Sequence, residues 1–204
     1  MEKKVLFFGG IFGPIVFVLN DIIGGVITPG YSYIINAVSE LTQAGSENIY
    51  LLSSLLLISA IMSIAFGIGI FSNYKDRRSK LLFTGSILII ISGIFNGLTG
   101  TVFPQDPING VTTFAGTMHL ILVGITVIMA MPLVLMIGIG LYREKRWKSF
   151  RLYSIITVLI MVVFGGLTPV LIMNDIELLG LFERIVAYTY LSWFFVLAFK
   201  FIKE

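Results

Sequence analysis

The chain of 204 residues is 57% hydrophobic and only 12% charged, about half the charged fraction of a soluble domain. Its net charge of +3 is small, and it has no cysteine, which excludes disulfides, thiolate metal sites and a cysteine nucleophile. Apolar runs of about twenty residues, the length a helix needs to cross a hydrocarbon core roughly 30 Å thick, mark six spans: Val5–Ile27, Leu51–Ser72, Leu81–Phe103, Ala115–Leu141, Leu152–Met173 and Phe182–Ile202.

Little chain is left over, so the expectation is one all-α domain over residues 1–204. It is a polytopic six-helix transmembrane bundle in a cell membrane, with no soluble domain and no nucleic-acid role. Every Lys and Arg except Arg184 falls at the N-terminus, in the second or fourth connection, or at the C-terminus. By the positive-inside rule both termini and those two connections are cytoplasmic, and residues 28–50, 103–114 and 174–181 face outward. The apolar run after Glu2-Lys3-Lys4 is too long for a signal-peptide core and no small-residue cleavage site follows, so it reads as a span.

The first span carries Gly9 and Gly13 at the small-xxx-small spacing that lets helices approach closely, with Pro14 loosening the backbone beyond them. Asn20 and Asp21 follow near its outer end. An ionised carboxylate inside a span costs about 2.5–3.5 kcal/mol on insertion scales, so Asp21 should face protein or a wet cavity unless it snorkels. In the first connection Pro29-Gly30 marks a turn, and Ile34, Val38 and Leu41 repeat at helical spacing before Gly45. That pattern predicts a short amphipathic helix on the outer surface, with Asn36, Glu40 and Gln43 on its polar face and Ser39 and Glu40 presented toward the bundle mouth. A solvated polar face accounts for these residues as well as a site does.

Ser59, Ser63 and Gly67 form a packing seam on the second span, while Gly93, Gly97 and Gly100 surround Asn96 near the outer end of the third. Pro104 and Pro107 bracket Asp106 and fix its position. The only histidine, His119, lies about one turn into the fourth span. It suits a proton carrier, a general base oriented by Asp106, or structural glue between helices. One histidine with scattered carboxylates is a poor metal set, so no metal or other cofactor is expected. Pro132 kinks the fourth span, and Gly165, Gly166 and Pro169 interrupt the fifth toward its outer end. The sixth opens with Glu183 and Arg184, followed one turn on by Tyr188. Adjacent residues point about 100° apart on a helix, so Glu183 and Arg184 are not merely each other's partners.

YSYIINAVSEL after the first span, VFPQDP closing the third and the histidine opening the fourth resemble a prokaryotic membrane-protein family, number nine-nine-eight of the domains of unknown function. The resemblance covers nearly the whole chain and implies fold and membrane location without an activity. The six-span plan is also similar to that of the eukaryotic Frag1, DRAM and Sfk1 group.

Asp21, Glu40, Asp106, His119, Glu183 and Arg184 are all assigned to one leaflet, whereas the inner halves of the spans hold no ionisable residue away from their ends. This predicts a polar cavity open to the outer leaflet that binds a lipid headgroup or small anionic ligand. Arg184 would act as the anion clamp, with Glu183, Glu40, Asp21, Asn96, Asn36 and Tyr188 around it. If Arg184 were instead a structural ion pair with Asp21, Glu40 or Asp106, lysine should replace it with little loss. An intramembrane hydrolase or lipid-modifying enzyme built on His119, Asp106 and Ser39 is the alternative, and a proton-coupled transporter is the second. Oligomeric state is not legible.

Overall fold

Each apolar run forms a helix in the computed structural model of the chain, which describes residues 2–74, 79–108, 110–142 and 147–203. Helix α1 (Glu2–Phe7) runs into α2 (Gly9–Ile27), and the two make one span. The others are α3 (Ile49–Tyr74), α4 (Lys80–Thr101), α5 (Phe114–Leu141), α6 (Lys148–Met173) and α7 (Leu179–Ile202). Six helices are thus long and apolar enough to cross a membrane, and no strand forms among the described residues. Each span packs on the next, and α7 returns to α2, so the six close into a ring.

The small residues do what their spacing requires. A Cβ on Gly9 would overlap the Met62 carbonyl oxygen, and Ser59 Oγ donates to the Gly13 carbonyl at 2.8 Å, so the glycines of α2 and the serines of α3 form one seam. At the end of the ring that holds both termini, called here the terminal end, the centre is filled by Phe66, Ile70, Leu133, Ile137, Trp193 and Leu197. Trp193 satisfies its indole by donating to Ser154 Oγ at 2.8 Å.

The opposite end carries residues 28–48, 102–113 and 174–178 and is called the loop end. Gly30 and Gly45 both have positive φ, as the turn and stop signals predicted. The short helix between them differs in kind and place. It is a 3-10 helix, Val38–Thr42, and Val38 and Leu41 are buried against Leu52 rather than spread on a membrane surface. An α-helix would bond the Tyr33 carbonyl to the Ala37 amide and the Asn36 carbonyl to the Glu40 amide. Instead Arg184 Nη1 takes both carbonyls, at 2.8 and 2.9 Å, and Ala37 N turns to Glu40 Oε1 at 2.8 Å. The connection is also tied to α7 by Gly180 N and Leu181 N, which donate to the Ile35 and Ile34 carbonyls and so satisfy two open amides of the first turn.

The even number of spans puts the termini on one side, but the direction rests on the charge rule. Lys75, Arg77, Arg78, Arg143, Lys145 and Arg146, which contribute much of it, lie outside the described residues. Cysteines placed by Ser46→Cys and Thr112→Cys should react with an impermeant maleimide in intact cells, and one placed by Ser79→Cys should react only after permeabilisation. The reverse pattern would invert the assignment.

Candidate functional site

Arg184 is the pillar of the loop end. Its Nε and Nη2 donate to the two oxygens of Asp21 at 2.9 and 2.7 Å, a fork-to-fork ion pair that closes the ring between α7 and α2. Nη1 donates to the carbonyls of Tyr33, Asn36 and Gly180 at 2.8, 2.9 and 3.0 Å, and Nη2 also reaches the Tyr31 hydroxyl. Tyr188 donates its hydroxyl to the same carboxylate of Asp21. The Tyr31 and Tyr33 rings cover the guanidinium, their centroids 5.5 and 5.0 Å away. Burial pushes the Tyr31 phenol above its usual range, so it stays protonated and donates onward to the Ala37 carbonyl at 2.9 Å. All five N–H groups of Arg184 are thereby engaged within the chain, which gives it the structural partner Asp21 and leaves no fork for an anion.

Asn36 and Glu40 belong to the strap over this pair. Asn36 accepts from Ser32 N at 2.9 Å and donates to Glu40 Oε2 at 2.7 Å, so both Glu40 oxygens are occupied within the first connection. Ser39, on the same short helix, is half-buried.

Asp106 and His119 do not form a hydrogen-bonded pair. Asp106 accepts from Thr113 N and Oγ1 at 2.8 and 2.7 Å, and Thr113 in turn caps α5 by accepting from Gly116 N at 3.1 Å. Those two bonds, with a smaller contribution from nearby His119, hold the Asp106 carboxyl below its usual range. His119 Nδ1 lies 2.8 Å from the Phe103 carbonyl. A carbonyl can only accept, so Nδ1 carries the proton, and it is the end of α4 rather than Asp106 that orients the ring. Among the described residues Ser39 hydrogen-bonds neither of them, so no direct hydrogen bond links the expected base, orienter and nucleophile.

Between these two clusters the centre of the ring opens. On α5 the residues facing the ring centre include Val134 and, eleven positions nearer the loop end, Val123. Val134 is 0% exposed and Val123 is 36% exposed. On α6 the corresponding stripe is sealed at Ser154 and Met161, half-buried at Gly165 and Thr168, and exposed at Ile172. Glycine contacts give the same gradient. A Cβ on Gly138 would strike Ser154 of α6, whereas one on Gly124, on the same side of α5, meets nothing within 4 Å. Helices α5 and α6 therefore touch at the terminal end and splay toward the loop end.

Three polar side chains lie on helix stripes that face the ring centre at this level. Asn96 continues the stripe of Leu82, Ile89 and Gly93 on α4, all of them buried, yet is itself exposed. Glu183 and Tyr190 lie with Ala187 on the α7 stripe that ends at buried Phe194. Both are enclosed by protein and still only half-buried, as side chains on the wall of an internal space are. Glu183 Oε2 accepts from Val38 N at 3.0 Å, which roofs the hollow with the 3-10 helix, and Oε1 has no partner among the described residues.

A family model described as "Protein of unknown function (DUF998)" matches residues 11–200, from the first turns of α2 almost to the end of α7. The chain belongs to the DUF998 family. No curated protein and no solved structure matches it. Every candidate residue named above lies within the part that matches the DUF998 model. Four contributors carried no usable sequence signal. Tyr190 and Val123 sit on stripes that read as ordinary packing, and the carbonyls of Tyr33 and Asn36 are backbone groups that a side-chain pattern does not reveal.

Proposed function

We propose that this protein is an integral membrane protein that binds an amphiphile, a bilayer lipid, in the hollow at the loop end of the ring. The observation that carries the reading is the gradient along α5 and α6, closed at Val134 and Ser154 and open at Val123 and Thr168. A gap of that shape between two lipid-facing helices admits a chain from the side, and Asn96, Glu183 and Tyr190 offer polar groups to a head. Arg184 serves this site indirectly, by locking the strap that forms its roof. The apolar filling at the terminal end favours a dead-end site over a conduit, since no polar line continues past Phe194 and Phe66 toward that end.

Protein purified in mild detergent should retain about one lipid per chain by native mass spectrometry. Val123→Trp, which puts a large ring into the hollow without touching the Arg184 cluster, should abolish that retention while the melting temperature stays near that of the wild type. A wild type that carries no lipid, or a Trp variant that carries as much as the wild type, would refute the reading.

A further inference from the structure

Resting on that reading, we infer that the head recognised in the hollow is a primary amine, placed against Glu183, and not an anion. Of the charges at the loop end, Glu47, Asp175 and Glu177 are exposed on the connections. Asp21 and Arg184 neutralise each other in a buried pair. Both Glu40 oxygens and both Asp106 oxygens are taken by neutral donors of their own connections. Glu183 alone faces the hollow with an oxygen to spare, one helical turn inside α7, and its single hydrogen bond is to the Val38 amide. Arg184, the next residue along α7, attracts Glu183 through space but gives it no hydrogen bond, because every N–H of Arg184 is already committed, and the remaining cations among the described residues lie toward the terminal end.

A carboxylate in a low-dielectric enclosure with one neutral donor is under-compensated. An ammonium offsets the charge and brings three N–H donors. An anionic head without an amine would bring a second negative charge toward Glu183 with no ammonium to offset either. The depth of the other groups suits the rest of such a ligand. Tyr190 lies seven residues further along α7, about 10 Å deeper, and its hydroxyl makes no hydrogen bond among the described residues. It can donate to an ester carbonyl, while the splay beside Gly124 leads the chains out to the bilayer. The hollow opens between membrane-spanning helices, so the amine should arrive on a lipid and not as a free solute.

The test offers wild-type protein equal amounts of phosphatidylethanolamine, phosphatidylcholine and phosphatidylglycerol with identical chains, and reads the retained lipid by native mass spectrometry. Phosphatidylethanolamine should exceed each of the others by tenfold or more, and acetylating its amine should remove the advantage. Glu183→Gln keeps an oxygen for Val38 N, so it should fold and still hold lipid, but without preference among the three. A preference for phosphatidylglycerol, indifference to amine acetylation, or a Gln variant with wild-type selectivity would overturn the inference while leaving lipid binding intact. Retention of no lipid at all would overturn both.

Discussion

Arg184→Ala should lower stability by about 3–5 kcal/mol, the usual cost of removing one partner from a buried ion pair. Asp21, fully buried, would keep only the Tyr188 hydroxyl as a partner, the Tyr33 carbonyl would lose its donor, and the Asn36 carbonyl would keep only the Tyr31 hydroxyl at 3.3 Å. The loss should appear as a large fall in melting temperature in detergent and as new protease cleavage in residues 28–48. Replacing both members with apolar residues, Asp21→Leu with Arg184→Leu, should cost clearly less than the two single changes added together, because no stranded charge remains. Arg184→Lys should fall between, since an ammonium cannot span a carboxylate fork and three carbonyls at once. An alanine variant as stable as the wild type would show that the pair does not support the ring closure.

That expectation for lysine marks where the sequence stopped being informative. A structural Arg184 promised tolerance of lysine as long as its partner was counted as a single carboxylate, and three of its acceptors proved to be backbone oxygens. Its anomaly was plain from the charge rule. Its partner was not, because Asp21 is 163 residues away and meets it only where the last span closes onto the first. The spans themselves were legible because twenty apolar residues leave a helix little alternative in a bilayer. The third runs from Lys80 to Thr101 where hydropathy had marked Leu81 to Phe103. Glycine seams were legible too, since Gly9 and Gly13 met the serines of α3.

Asp106 and His119 were read as a pair because their chemistry is complementary and their segment short. The competing cap was visible in the same stretch, where Thr113 stands three residues before Gly116, and it took the carboxylate first. Openness was the least legible property. Val123 and Val134 are the same residue type on the same face, and what separates them is the angle between two helices, which no local pattern encodes. The candidate site accordingly combines residues that chemistry singled out, Glu183 and Asn96, with a space that only packing could define.

The strap over Arg184 allows one further expected result, from a substitution usually regarded as mild. A Cβ on Gly180 would overlap the Asn36 carbonyl oxygen and sit 2.9 Å from Arg184 Nη1. Neither neighbour can yield easily. The Asn36 carbonyl is held by Arg184 and Tyr31, and Gly180 N itself donates to the Ile35 carbonyl at 3.2 Å. Gly180→Ala should therefore lift residues 33–38 away from α7 and cost about 1–3 kcal/mol, the range for forcing a methyl into a packed contact. Because the Glu183 bond to Val38 N lies two residues further along the strap, the same change should also weaken lipid retention. Gly166→Ala is the matched control. It too lies inside a helix, but its Cβ meets nothing within 4 Å, so the gain in helix propensity, up to ~1 kcal/mol, should act alone and leave stability unchanged or raised. Melting temperatures of the two variants measured side by side would decide the matter. A Gly180→Ala variant that matches Gly166→Ala would mean that the first connection is not clamped against α7 as the Arg184 contacts require.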